Sequence, residues 1–419
     1  MKNFCGFDFG TSNSTIGVIS PNNSYRLIPL ENNKPIIRSA IFCDAENKEW
    51  VFGKEGIDRY LDSTPGRLMM ALKSVLGSPL MNDETFIFNE YVSYADILGK
   101  FIRYIKASAE QDIQQELTHV VMGRPVHFHD TDVEKDQVAQ NTLEEIALKA
   151  GFKEVSFQYE PIAAALAYET TIEAEQLALI VDMGGGTSDF SVICLRPGVN
   201  AIDRSADVLA NTGIHIAGTD FDHKLSLNTV MPLLGMGGLM QGSSSNIEVP
   251  SAYYHDLTTW HTLSALYGAK TITHIKSLQA KALDKHAIGR LLKVLQNKAG
   301  HYILNSVESC KQDLSAVTTS PLDLNFIERD LEEIVTRDHF NQIIDDYLAS
   351  IVNTIFETIT LAKVRREDIS AIFYTGGSTK IPIIHSKINP LFPNAKIVQG
   401  DAFGSVGMGL TIDASRKFS

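Results

Sequence analysis

The sequence predicts an α/β protein, and three observations predict it. Strand-length apolar runs, among them FCGFDFG, THVVMGRPV, LALIVDM and AIFYTGG, alternate with helical patterns at 93–110, 133–151, 288–314 and 337–362, where apolar residues recur every three or four positions. With 419 residues, 44% of them hydrophobic, the chain can bury a large core and is long enough for two or more domains. Twice an aspartate interrupts an apolar strand just before a glycine-rich turn: Asp8 in GFDFGTSNSTIGVIS and Asp182 in IVDMGGGTSDFSVICL.

Composition removes several function classes. The net charge of −13, from 37 basic and 50 acidic residues, comes without a long basic run, so a nucleic-acid surface is not expected. Cys5, Cys43, Cys194 and Cys310 are scattered, which fits reduced thiols and neither a zinc site nor a disulfide framework. The first residues run into a strand without the charged and apolar regions of a secretory signal. The most apolar long segment, VMPLLGMGGLM, holds a proline and is too short to span a bilayer. A cytoplasmic protein without membrane contact is the expectation.

Taken in order, the elements explain the turns. Strand FCGFDFG meets Gly10, Thr11, Ser12 and Asn13 and continues into STIGVIS; strand LALIVDM meets Gly184, Gly185, Gly186 and Thr187 and continues into FSVICL. In a P-loop or a dinucleotide fingerprint the glycines open a helix, whereas here β-branched and apolar residues follow, so each turn joins two strands. A hairpin of Gly, Thr and Ser gathers backbone N–H groups and hydroxyls into one concavity with no Cβ in the way, a cradle for phosphate oxygens. A neighbouring carboxylate would repel phosphate unless a hydrated Mg²⁺ lay between them. The alternative is two glycine-rich hairpins whose acids are satisfied by backbone donors. Farther on, QGSSSN at 241–246 marks a loop, Thr336 is an N-cap for a long amphipathic helix, and AIFYTGGSTKIPII reads as strand, Gly376–Gly377, caps Ser378 and Thr379, then a helix with Pro382 in its first turn. His127 and His129 in HFHD have no third ligand at metal spacing and read as strand-end residues.

In this order GFDFGTSNS, YEPIAAALAYE, IVDMGGGTSDFSV, FYTGGSTKIP and QGDAFGSVGMG resemble the phosphate, connecting and adenosine motifs of the actin-like ATPase superfamily. Within it the chain resembles the nucleotide-binding domain of the Hsp70 chaperones, DnaK included, and GRPVHF and MPLLGMGG resemble the YegD-type members. The resemblance implies an actin-like ATPase fold with two RNase H-like lobes around a nucleotide cleft, each carrying an inserted subdomain. Lobe I (subdomains IA and IB) would be 1–169 and lobe II (IIA and IIB) 170–419, with an enlarged insert at about 223–307, a C-terminal helix at about 401–414 crossing back, and no peptide-binding domain.

It further implies an ATPase and chaperone-like protein with ATP/ADP and Mg²⁺ as cofactors and K⁺ as a candidate further ion. Asp8, Glu160 and Asp182 match the carboxylates around the metal and its waters, joined by Asp189. Lys73 matches the lysine that reaches the outermost phosphate, and Thr187 belongs to the second phosphate hairpin. Gly218, Glu308, Lys311, Gln312, Ser315, Gly376, Gly377, Ser378, Lys380, Ile381 and Asp401 match positions around the nucleotide, many of them on its adenosine side. Gln312 and Lys380 stand where the family commonly has arginines, which implies weaker nucleotide binding, and Ala217 and Thr219 replace a glycine and a glutamate, which implies altered contacts over the phosphates and ribose. A pseudo-ATPase scaffold, a small-molecule kinase and a filament-forming relative remain the alternatives. The insert carries Tyr253, Tyr254, Trp260 and Tyr267, either as a locally folded cap or as a docking patch for an unknown protein partner.

Overall fold

The computed structural model describes residues 3–398 and 404–419, apart from 21, 23, 63, 129–131, 200, 243, 244 and 261. The chain divides into two compact units. The first joins Met1–His215, Asn353–Thr379 and Ile388–Ser419; the second joins Ile216–Val352 and Lys380–Lys387.

Two large sheets build the first unit. One holds β1 (Phe4–Phe9), β2 (Asn13–Ile19), β3 (Tyr25–Leu27), β4 (His119–Arg124) and β5 (Glu154–Tyr159) in the order β5-β4-β1-β2-β3, with the short strand Ile37–Arg38 beside β2. The other holds β6 (Gln176–Met183), β7 (Ser188–Leu195), β8 (Val208–Ile214), β9 (Ile369–Thr375) and β10 (Lys396–Val398) in the order β8-β7-β6-β9-β10. In both, the leading strand pairs antiparallel with its hairpin partner on one side and parallel with a later strand on the other. The repeat visible in the two aspartate-glycine turns thus extends to whole sheets of one topology.

The alternation of a strand places the acids. Cys5, Phe7 and Phe9 of β1 face a core shared with α1 (Tyr94–Ile113) and α2 (Val133–Lys149). Gly6 faces the other way, toward the backbone of Thr411, and Asp8 lies two residues on, on that same face. In β6, Ala178 and Ile180 pack in the core formed by α3 (Glu160–Glu169) and by Leu410 and Ala414 near the C-terminus, and Asp182 continues their face. Each aspartate is therefore the last side chain of a row that otherwise covers a helix.

The remaining helices follow in chain order. In the second unit α4 (Gly218–Leu233) begins with the Asp220 carboxylate accepting from the Ala217 N–H at 2.9 Å. The 288–314 pattern, read as one helix, is two: α5 (Lys285–Gln296) and α6 (Gly300–Leu314), separated where Lys298 takes a left-handed φ of 52°. The 337–362 pattern likewise breaks at Ile344, between Arg337–Ile343 and α7 (Asp345–Leu361). The expected cap holds, with Thr336 Oγ1 accepting from the His339 N–H at 3.1 Å.

Between Leu239 and α5, a short hairpin and the helices Ala252–Leu257 and Ala269–Lys281 enclose buried Tyr254, Leu257, Leu263, Leu266, Ile275 and Leu278. Tyr254 Oη donates to the Leu234 carbonyl at 3.1 Å. Tyr254 is buried, as a locally folded cap requires, while Tyr253, Trp260 and Tyr267 are half-buried. No helix among the described residues is long and apolar enough to cross a membrane.

The last helix, α8 (Ser405–Phe418), lies on the first sheet and crosses α3. Glycines permit both contacts. A Cβ on Gly6 would stand 2.1 Å from Thr411 N, and one on Gly409 would stand 1.8 Å from the Ala163 carbonyl oxygen, so backbone meets backbone at the crossing. Replacing Gly409 by alanine should therefore force the helices apart and cost about 1–3 kcal/mol, seen as a lower melting temperature. Gly186→Ala, whose Cβ would meet nothing within 4 Å, should stay within about 0.5 kcal/mol of the parent.

Candidate functional site

Both glycine turns are hairpins, as their sequences require. Gly10, Thr11 and Ser12 connect β1 to β2, which opens at Asn13; Gly184–Thr187 connect β6 to β7, and the Gly184 N–H donates to the Thr187 carbonyl at 3.0 Å. They approach each other: a Cβ on Gly185 would come 2.5 Å from Ser12 Oγ. The third glycine turn packs under the second. Gly376 has φ of 80°, and a Cβ there would lie 2.3 Å from the Met183 carbonyl oxygen and 2.8 Å from Asp182 Oδ1, so only glycine fits. Ser378 Oγ donates to the Gly184 carbonyl at 2.6 Å.

Ser39 is a support that the sequence did not announce. Its N–H donates to the Ser12 carbonyl at 2.9 Å and its hydroxyl to the Gly10 carbonyl at 2.7 Å, with Ser14 Oγ 3.0 Å from the same hydroxyl. With those carbonyls occupied from behind, the turn is fixed by partners that β1 and β2 do not supply. Nothing in RSAIF distinguishes this serine, because its partners lie far off in the chain.

The charged centre gathers residues from four places. Lys73 sits on a short 3₁₀ turn, Leu72–Val75, and its Nζ donates to Glu160 Oε1 at 2.6 Å; the two side chains are 9% and 14% exposed. Glu160 is the first residue of α3, followed by Pro161, which suits a helix start. Burial, helped by the Glu160 charge, pushes Asp8 up to about 8, against the pull of Lys73. Burial and Glu160 also raise Asp182, to about 6. Lys73 is raised too: burial opposes its charge, but Glu160, Asp8 and Asp182 together hold the proton. Asp189 stands directly opposite Asp182 in the β6–β7 ladder and Thr375 beside it in the β6–β9 ladder. Glu160, Asp182, Asp189 and Thr375 line one cavity together with Ser191 and Asn211, whose Nδ2 donates to Ser191 Oγ at 2.8 Å.

Asp8, Lys73, Glu160, Asp182 and Asp189, with the hairpins Gly10–Asn13 and Gly184–Thr187 and with Gly376–Ser378, all belong to the first unit. In the second unit the Lys311 ammonium is buried, donating to the Gly218 carbonyl at 2.9 Å and to Asp222 Oδ2 at 2.6 Å, which ties α6 to the start of α4. Glu308 and Gln312 share an exposed face of α6, linked at 2.9 Å, and Ser315 caps its end. Lys380 and Ile381 also fall in this unit. Asp401 and His129 lie outside the described residues.

Two sheets of one topology, each opening on an aspartate and a glycine hairpin, with α3 and α8 crossing beside them, define an actin-like ATPase fold. The chain matches the family model described as Hsp70 protein over residues 73–231 and 285–414, and it belongs to that family. Residues 232–284, which hold the cap, fall between the two matched stretches. The chain is 25% identical to the chaperone protein DnaK of Thermosipho melanesiensis over 98% of its own length and 58% of that protein. To the chaperone protein HscA homolog of Pseudoalteromonas atlantica it is 24% identical, over 98% of this chain and 57% of that one. To the chaperone protein dnaK of Cyanidioschyzon merolae it is 23% identical, over 99% and 62%. The chain thus spans less than two thirds of the length of these relatives.

The raised acids make stability depend on pH. Because Asp8 and Asp182 are raised from 3.8 to about 8 and about 6, the folded protein holds protons that the unfolded chain has released. Stability therefore falls as pH rises, by up to about 1.4 kcal/mol per pH unit for each group. The fall begins near pH 4, ends for Asp182 near 6 and for Asp8 near 8. Calorimetry without nucleotide or divalent ion should show the melting temperature dropping from pH 5 to 8. Asp8→Asn should flatten the part above pH 6; an unchanged slope there would refute the assignment.

Proposed function

We propose that this Hsp70-family chain binds ATP and hydrolyses it to ADP and phosphate in a Mg²⁺-dependent reaction, and that nucleotide state drives closure of its two lobes. The observation that carries this reading is the buried Lys73–Glu160 pair set among Asp8 and Asp182 at the mouths of two phosphate-type hairpins.

The residues fit a hydrated Mg²⁺. The donors are all carboxylate oxygens, the choice of a hard cation. Among the described residues no group of three His, Cys, Asp or Glu could cage an ion directly, which suits acids that hold the metal's waters. Asp8, Asp182 and Glu160 would hold the ion, and it would supply charge neutralisation at the outer phosphates.

The chain's own groups account for the rest. Backbone N–H groups of Thr11–Asn13 and Gly185–Thr187 bind the phosphate oxygens, with the Thr and Ser hydroxyls beside them. Lys73 lies close enough to Glu160 to exchange that partner for phosphate, placing its ammonium where negative charge grows. Glu160 and Asp189 orient water, their carboxylates being acceptors held by the helix start and the β7 ladder. On the base side, the Glu308–Gln312 face of α6 meets ribose and adenine. The finer assignment to YegD-type members rests on GRPVHF and MPLLGMGG, and a cytoplasmic location on four scattered, unpaired cysteines.

Phosphate release from MgATP by the purified chain tests the proposal. Lys73→Ala should keep ATP affinity within about threefold while turnover falls about 10²-fold, since its charge acts mainly in the transition state. Asp182→Asn should likewise cut turnover far more than binding. Tight ATP binding with no phosphate release from the parent protein would instead support a nucleotide-binding scaffold.

A further inference from the structure

At the far end of α3 from Lys73 lies a second, more deeply buried set of charges. Glu169, the last residue of α3, receives both terminal nitrogens of Arg204, at 2.6 and 2.9 Å, and these two side chains are 2% and 1% exposed. The same carboxylate accepts the Arg196 N–H at 3.1 Å. Asp207 completes the set, accepting from the Arg204 and Arg196 side chains.

Arg196 directly follows β7, and β7 begins at Ser188 beside the second phosphate hairpin. Helix and strand therefore both start at the phosphate site, α3 at Glu160 and β7 next to Asp189, and are tied together at their far ends. At about 1.5 Å per residue, the ends of α3 stand on the order of 13 Å apart.

Between Ile162 and Leu166, which are buried in the shared core, the middle of α3 presents only the small side chains of Ala163, Ala164 and Ala165, so along that stretch few side chains key the helix against sliding. A buried ion network is sensitive to such a shift, because separating its charges leaves them unpaired without water. It accepts one register of helix against strand.

We propose that Glu169 is a positioning residue for the hydrolytic site: by locking the end of α3 to the end of β7, it sets where Glu160, and through it Lys73, stands against the second phosphate hairpin. The inference rests on the ATPase reading above. It predicts that loss of the lock lowers turnover and leaves ATP binding, made largely by backbone donors, nearly intact.

The test compares full-length variants well below their melting temperatures, by single-turnover ATP hydrolysis and by equilibrium ATP binding. Glu169→Gln should lower the hydrolysis rate at least tenfold with the ATP dissociation constant within twofold. Glu169→Gln combined with Arg204→Met removes the Glu169–Arg204 pair and leaves Asp207 to Arg196; it should regain thermal stability over the single variant yet remain slow, and it serves should the single variant fail to fold. Asp44→Asn is the control. That buried carboxylate holds Arg59 and the Asn47 N–H in another sheet, so this variant should melt lower and hydrolyse normally. A normal rate in either folded Glu169 variant, or a rate that returns with stability in the double variant, overturns the inference alone. A parent protein that hydrolyses no ATP overturns it together with the ATPase reading.

Discussion

The constraint on which the rest depends is the withdrawal of three carboxylates, Asp8, Glu160 and Asp182, from water around one ammonium. Lys73 pairs with one of them, Glu160, and burial, with the Glu160 charge beside them, drives Asp8 and Asp182 toward their protonated forms. Such a site is destabilising by construction. It persists because the surrounding backbone is held by contacts that do not involve the acids: the Ser39 bonds behind the first hairpin, and the Gly376 turn and Ser378 hydroxyl under the second. On the proposed reading, a hydrated divalent cation carrying phosphates would offset this excess of negative charge and so relieve the cost of holding Asp8 and Asp182 ionised.

Close approach without side chains recurs beyond the site. Gly6 lets α8 rest on β1, and Gly409 lets it touch the Ala163 carbonyl of α3. These contacts are tight because backbone meets backbone, and Ile162 and Leu166 of α3 and Leu410 of α8 pack in the core beside them. The ends of α3 differ in kind: each is an ion pair, Glu160 with Lys73 and Glu169 with Arg204. In a helix of ten residues held by charge at both ends, what fixes one end bears on where the other stands.

Much of this was legible in the sequence for a simple physical reason. A charge in an apolar strand has to be compensated, so Asp8 and Asp182 stand out, and the β-branched residues after each turn show that a strand and not a helix follows. Thr336 as a cap was readable from local chemistry alone. What escaped depends on pairing across long stretches of chain. Ser39, Asn211 and Arg204 look ordinary until the fold brings Gly10, Ser191 and Glu169 to them. The helix breaks at Lys298 and Ile344 escaped for another reason: apolar spacing continues in phase across them, and the left-handed residue at the first is a lysine, which carries no signal for that conformation.

Lys311 shows how a residue read from a family likeness acquires a physical role of its own. An ammonium has three donors, and here one goes to the Gly218 carbonyl at the start of α4 and another to Asp222 within it. The sequence likeness puts Gly218 and α6 around one ligand, and Lys311 joins them before any ligand arrives. A group that binds both then has no need to draw them together, and the ordering cost of that part of the pocket is met during folding. On the face of α6 beside it, the Gln312 amide donates to the Glu308 carboxylate at 2.9 Å, so polar groups there satisfy each other near the surface.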